Sequence, residues 1–209
     1  LKSLTIIVFF CVTVIAKDYN SVFKKTKSVT KNETYITCEL KDVKYDGRDS
    51  FHLITNKTEL EVVAGLTPDE NYIDEEVIFD YVTLFKFTSS KLSSIPMLIF
   101  RNFSQLQIFD ASETELKSLN TLTFNDAASL QEIYLQNNRL TTIENYVFVH
   151  TKELKILDLS SNNIEKIQTH AFNSLHKLQK LSLANNRIAD IEDETFQPLN
   201  NLEYIWLDR

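Results

Sequence analysis

The chain has 209 residues, 22 of them basic and 29 acidic, for a net charge of −7; this length suits one domain, or a small domain with an appendage. An acid-rich chain lacks the clustered Lys and Arg that phosphate contacts need, which argues against a nucleic-acid partner. Two glycines, Gly47 and Gly65, cannot build a glycine-rich phosphate loop, so nucleotide-binding fingerprints are excluded.

Residues 1–16 read as a secretory signal peptide. Lys2 precedes an apolar run from Leu4 to Ala16, and Val14 and Ala16 are small residues placed for cleavage. The run is shorter than the roughly 20 residues a membrane span requires. Loss of this segment removes one positive charge, from −7 to −8. The first residue is not Met, and the one methionine is Met97, so the N-terminus is expected to start short of the natural one.

Residues 17–81 are expected to form an N-terminal β cap. The stretches "TYITCELKDVKY" and "SFHLITN" alternate in polarity and flank the turn signal "DGRDS", which reads as a hairpin or two strands. Cys11 falls in the signal segment, leaving Cys38 in the cap; it is a buried thiol, a disulfide to an absent residue, or an interchain disulfide to a partner. The acidic stretch "GLTPDENYIDEE" reads as a solvated linker into the next region.

From residue 82 the chain keeps a 24-residue clock. Phe100, Phe124, Phe148, Phe172 and Phe196 are each 24 residues apart. Three units start at Leu130, Leu154 and Leu178: "LQEIYLQNNRLTTIENYVFVHTKE", "LKILDLSSNNIEKIQTHAFNSLHK" and "LQKLSLANNRIADIEDETFQPLNN". They share the pattern LxxLxLxxNx(L/I)xxIxxxxF. Looser units start at Val82 and Leu106, and "LEYIWLDR" from Leu202 is a partial sixth. This pattern resembles the extracellular 24-residue form of the leucine-rich-repeat family. The resemblance implies an α/β solenoid, mostly parallel β: a curved horseshoe over 82–209, its C-terminus expected to continue.

The residues give the same picture. Alternation in LxL makes a short strand with one face buried. Successive units supply parallel strands about 4.8 Å apart, and stability comes from stacking. The Phe positions should form a spine on the return side, where a helical or 3₁₀ turn at most is expected. Asn138, Asn162 and Asn186, at position 9 counted from each unit's first Leu, should turn inward and bond backbone groups between repeats. Thr114 and Ser90 stand at that position in the first two repeats, where the ladder should be weaker. Asn163, at position 10, should be exposed.

Positions 3, 5 and 7 should face out from the concave sheet. Row 3 is Leu84, Ile108, Glu132, Ile156, Lys180, Tyr204; row 5 is Lys86, Asp110, Tyr134, Asp158, Ser182, Trp206. Apolar and aromatic side chains exposed on one face mark an interaction site. The candidate partner-binding residues are Lys86, Asp110, Glu132, Tyr134, Ile156, Asp158, Tyr204 and Trp206. Asp110 and Asp158 flank Tyr134 with negative charge, which a basic protein would complement. Tyr204 and Trp206 read equally well as covered by a following repeat.

No catalytic, cofactor-binding or metal-binding residue is assigned. His52, His150, His170 and His176 have no ligand spacing, and no nucleophile motif appears. Sequons at Asn32, Asn56 and Asn102 are candidate glycan sites in a secreted chain. The cap "TCELKDV" and the opening repeats "VTLFKFTSSKLSSIPMLIF" and "LQIFDASETELKSL" are similar to those of secreted insect leucine-rich-repeat immune proteins, mosquito ones among them. That resemblance implies a secreted, extracellular scaffold that binds a protein ligand or co-receptor, with a role in innate immunity. The alternative is the N-terminal ectodomain part of a Toll-like membrane receptor or adhesion protein. Membrane attachment would then come from a C-terminal segment not present in this sequence.

Overall fold

A computed structural model gives residues 83–96 and 99–208 with their side chains, and residues 12–14, 21–30, 33–41, 44–45, 53–55 and 98 as backbone. The strands are β1 (Val12–Val14), β2 (Ser21–Thr30), β3 (Glu33–Lys41), β4 (Lys44–Tyr45), β5 (Leu53–Thr55), β6 (Leu84–Thr88), β7 (Lys91–Leu92), β8 (Ile108–Asp110), β9 (Glu132–Tyr134), β10 (Thr142–Ile143), β11 (Ile156–Asp158), β12 (Lys166–Ile167), β13 (Lys180–Ser182) and β14 (Tyr204–Trp206). Among the described residues a short helix, α1 (Leu98–Asn102), and a 3₁₀ turn at Asp193–Phe196 lie on the return side.

Ten strands form one sheet in the order β14-β13-β11-β9-β8-β6-β3-β2-β1-β5. From β3 to β14 every neighbouring pair is parallel. From β6 to β14 each step shifts the register by 24 residues, as in Asp110 opposite Tyr134 and Asp158 opposite Ser182. The fold is therefore the expected parallel solenoid.

The core follows from the repeat. Ile133, Leu135, Leu140, Ile143, Phe148 and Leu154 are each fully buried, and their equivalents one repeat on are buried with them. In the first two repeats Phe85, Phe87, Phe100 and Phe109 fill the same space, with Phe100 and Phe109 5.0 Å apart between ring centroids. The spine runs unbroken: centroids of Phe100, Phe124, Phe148, Phe172 and Phe196 lie 5.5, 5.5, 6.2 and 6.0 Å apart in turn. Such pairs contribute about 0.5–1.5 kcal/mol each beyond area burial.

Where each strand ends, the backbone makes the same unusual turn. Ser89, Glu113, Asn137, Ser161 and Asn185, position 8 of five repeats, all have positive φ, from 50° to 58°. This left-handed step re-aims the chain away from the sheet. Asparagine tolerates it, while other side chains strain against their own backbone. The periodicity of the leucines carries no sign of it.

Position 9 then delivers the ladder. Asn138 Nδ2 donates to the carbonyls of Ala111 (2.8 Å) and Leu135 (2.9 Å), and its Oδ1 accepts from the amides of Thr114 (3.1 Å) and Leu116 (2.9 Å). Asn162 and Asn186 repeat the pattern one and two turns on. At Thr114 the hydroxyl donates to Ala111 O (2.8 Å), within its own repeat, and its oxygen lies 3.1 Å from Asn138 Oδ1. A hydroxyl has one donor where the amide has two, so this rung holds fewer carbonyls. Asn163, expected to be exposed, is half-buried.

Of the two expected arrangements in the N-terminal region, separate strands rather than a hairpin are found. β3 does not pair with β5. Its antiparallel partner is β2, and β5 pairs antiparallel with β1, which lies in the segment read as a signal peptide. On its other edge β3 runs parallel to β6, with Cys38 opposite Phe85, and β4 runs parallel to β7. Both pairings have the same offset, 84 − 37 and 91 − 44, which is 47 residues. β3 thus extends the parallel sheet by one strand, and β4 pairs with β7 in a separate two-stranded sheet. Their 47-residue offset falls outside the 24-residue clock, which hid them. The linker 65–76, Asn32 and Asn56 lie outside the described residues.

Candidate functional site: the concave sheet

The register lines up the two expected rows. Leu84, Ile108, Glu132, Ile156, Lys180 and Tyr204 are successive Cα partners, and so are Lys86, Asp110, Tyr134, Asp158, Ser182 and Trp206. All the candidate partner-binding residues therefore share one face. Ile108 does not belong to the exposed set: it is only 9% exposed. Leu84 and Ile156 are half-buried, and Tyr204 and Trp206 are exposed.

Local chemistry distinguishes the charged members. Asp110 Oδ1 accepts from the Ser112 amide (3.0 Å) and hydroxyl (2.6 Å). Asp158 Oδ1 accepts from the Ser160 amide (2.9 Å) and hydroxyl (2.6 Å). Each Asp-x-Ser thus clamps its own carboxylate, and the two clamps match. They differ at the second oxygen: Asp110 Oδ2 holds Lys86 Nζ at 2.6 Å. Repeat position alone makes both aspartates equivalent and does not pair Lys86. Both are one residue type at one spacing, so only three-dimensional reach separates them.

Tyr134 sits between the two. Its hydroxyl donates to Glu132 Oε2 at 2.7 Å. Burial pushes the phenol above its ordinary range; the hydrogen bond and charge of Glu132, then Asp110 and Asp158, push the same way. The centre of the face is therefore a half-buried aromatic ring in a negative field. Toward the C-terminal end Tyr204 and Trp206 stack at 5.9 Å between ring centroids, with Lys180 Nζ 5.9 Å from the Tyr204 centroid.

The opposite side differs. Asn102 ends α1 on the return side and is half-buried. His150, His170 and His176 are exposed on that side, and the His170 ring stacks on Tyr146 at 5.7 Å. Among the described residues no three His, Cys, Asp or Glu side chains form a metal-holding group. No helix among them is long and apolar enough to cross a membrane.

A family model described as leucine rich repeat matches residues 105–164, 128–188 and 152–209, which together cover 105–209. The chain belongs to the leucine-rich-repeat family. No curated protein sequence matches it. Among solved structures, a chain of the LRIM1/APL1C complex shares 21% identity and a TM-score of 0.66 over 90% of this chain and 31% of that one. A chain of the Drosophila Toll–Spatzle complex, in glycosylated form, shares 23% identity and a TM-score of 0.53 over 61% of this chain and 19% of that one. One from the TLR13–ssRNA13 complex shares 21% identity and a TM-score of 0.49 over 61% and 21%. This leucine-rich-repeat chain thus spans less than a third of the length of each.

Proposed function

We propose that this chain is a non-enzymatic, extracellular recognition scaffold that binds a protein on its concave sheet. The observation that carries the reading is the face itself: Glu132, Tyr134, Ile156, Asp158, Tyr204 and Trp206 on parallel strands of one sheet, aromatic and acidic together. Aromatic anchors amid a polar surround are the composition of an interface centre. The net negative charge favours a protein over a nucleic acid as partner.

Secretion through the 1–16 leader and glycans at Asn32, Asn56 and Asn102 belong to the same proposal. A glycan on Asn102, on the return side, would leave the concave sheet open. A role in innate immunity is supported by the resemblance of the cap and opening repeats to insect immune proteins. It is also in keeping with the shared fold of the Toll chain, whose complex is described as a hub in development and innate immunity.

The test is partner binding with paired variants, using a protein recovered from extracellular fluid on the full chain. Tyr134→Ala should weaken capture at least tenfold with little change in melting temperature. Leu122→Ala, on the return side and 56% exposed, should leave capture unchanged. Equal effects from both variants would remove the concave sheet as the binding face.

A further inference from the structure

The matched clamps on Asp110 and Asp158 amount to an internal comparison. In both, Oδ1 is tied to the serine two residues on, so the carboxylate is held in one orientation on the concave face. In the first, the remaining oxygen carries a cation, Lys86 Nζ at 2.6 Å. In the second, no donor reaches Oδ2 among the described residues.

The neighbours leave room there. Asp158 has Tyr134 on one side in its row and the small Ser182 on the other, each one strand, about 4.8 Å, away. Glu132, diagonal to it, adds a second negative charge and is bonded to the Tyr134 hydroxyl rather than to a cation. Lys180, on the adjoining strand opposite Ile156, has its Nζ 5.9 Å from the Tyr204 ring centroid. A fixed carboxylate beside an aromatic face and a small residue suits a planar, multiply donating cation. Arginine combines charge-assisted bonds to the carboxylate with stacking on the ring.

We propose that a protein partner lying in the concave sheet seats an arginine on Asp158 Oδ2 beside Tyr134, as Lys86 is seated on Asp110. The inference rests on the concave-face reading and adds to it the partner's chemistry and register. Asp110 is then spent within the chain, and the recognition centre shifts toward the C-terminal repeats, where Ile156, Tyr204 and Trp206 adjoin it.

The probe is an arginine hexapeptide, with a citrulline hexapeptide of equal length as its neutral counterpart, titrated into the full chain. Binding is read from the Ser160 backbone amide resonance. The arginine peptide should shift that resonance saturably, and the citrulline peptide should not. Asp158→Asn keeps an acceptor for Ser160 and should weaken binding about tenfold, the scale of one hydrogen bond to a charged group. Glu165→Gln, an exposed acid outside the rows, should change it less than twofold. Lys86→Gln uncovers Asp110 and should add a second saturable response at Ser112. Equal losses in Asp158→Asn and Glu165→Gln, equal binding of the citrulline peptide, or no second response in Lys86→Gln would each overturn the proposal. These readouts need no natural partner, so they fail or hold separately from the concave-face reading.

Discussion

The side-chain amide of Asn162 donates to the backbone carbonyl of Leu135, 27 residues earlier, at 2.9 Å. The same nitrogen holds Leu159 O at 3.0 Å, and its oxygen accepts from the Leu140 amide at 3.1 Å. One buried side chain thus straps two repeats at the point where their strands turn away from the sheet.

Removing that strap should be severe. Asn162→Ala strands several buried backbone groups, each worth about 1–3 kcal/mol, so a loss of about 3 kcal/mol or more is expected. Asn163→Ala, one residue on and half-buried, should stay within about 0.5 kcal/mol. Urea unfolding of the two variants side by side separates them. Equal losses would mean the repeat frame is wrongly placed.

The phenylalanine spine predicts a gradient. Phe148 is fully buried between Phe124 and Phe172. Phe148→Ala should cost about 3–5 kcal/mol. Phe196 is partly buried at the end of the stack, so Phe196→Ala should cost clearly less. Thermal melts would show it; a larger loss at Phe196 would contradict the spine.

Position 8 offers a gain. Glu113 holds φ 57° with a long side chain, where Asn137 and Asn185 hold the same turn with asparagine. Glu113→Asn should relieve strain and stabilise the chain by about 0.5–1 kcal/mol. A rise in the urea midpoint with unchanged slope would be the signature. A fall would mean that the glutamate side chain matters more than the backbone.

Position 10 carries a pH signal. Glu115 bridges Lys91 Nζ at 2.6 Å and Arg139 Nη2 at 3.1 Å. The Lys91 hydrogen bond, followed by the charges of Arg139, Lys91 and Lys117, holds its carboxyl below the ordinary range against some desolvation. The folded chain therefore binds this proton less readily than the unfolded one. The contribution is present above the ordinary carboxylate pKa and fades as pH falls through the lowered value. Glu115→Gln should flatten the stability curve in that acidic window and change little at neutral pH in high salt, where surface pairs are screened. An unchanged acid limb in Glu115→Gln would refute the bridge.

Much of this was legible in the residues. Five phenylalanines on a 24-residue clock set the repeat, and the clock alone lined up the rows, the spine and Asn138, Asn162 and Asn186. What escaped has a common cause. The left-handed turn at Glu113 leaves no apolar mark. The Lys86–Asp110 pair depends on side-chain reach between repeats. β3 joins the sheet through a 47-residue offset that no 24-residue frame can find. Ile108 reads as a surface position by alternation, yet it is buried on the concave side, outside the phenylalanine core.

The most direct test of recognition by the concave sheet is amide hydrogen exchange on the full chain, with and without its bound protein partner. Binding on this face should slow exchange in residues 132–136 and 156–160, which carry Tyr134 and Asp158, and leave the return turns at 120–127 and 144–151 unchanged. Protection confined to those return turns would contradict the account.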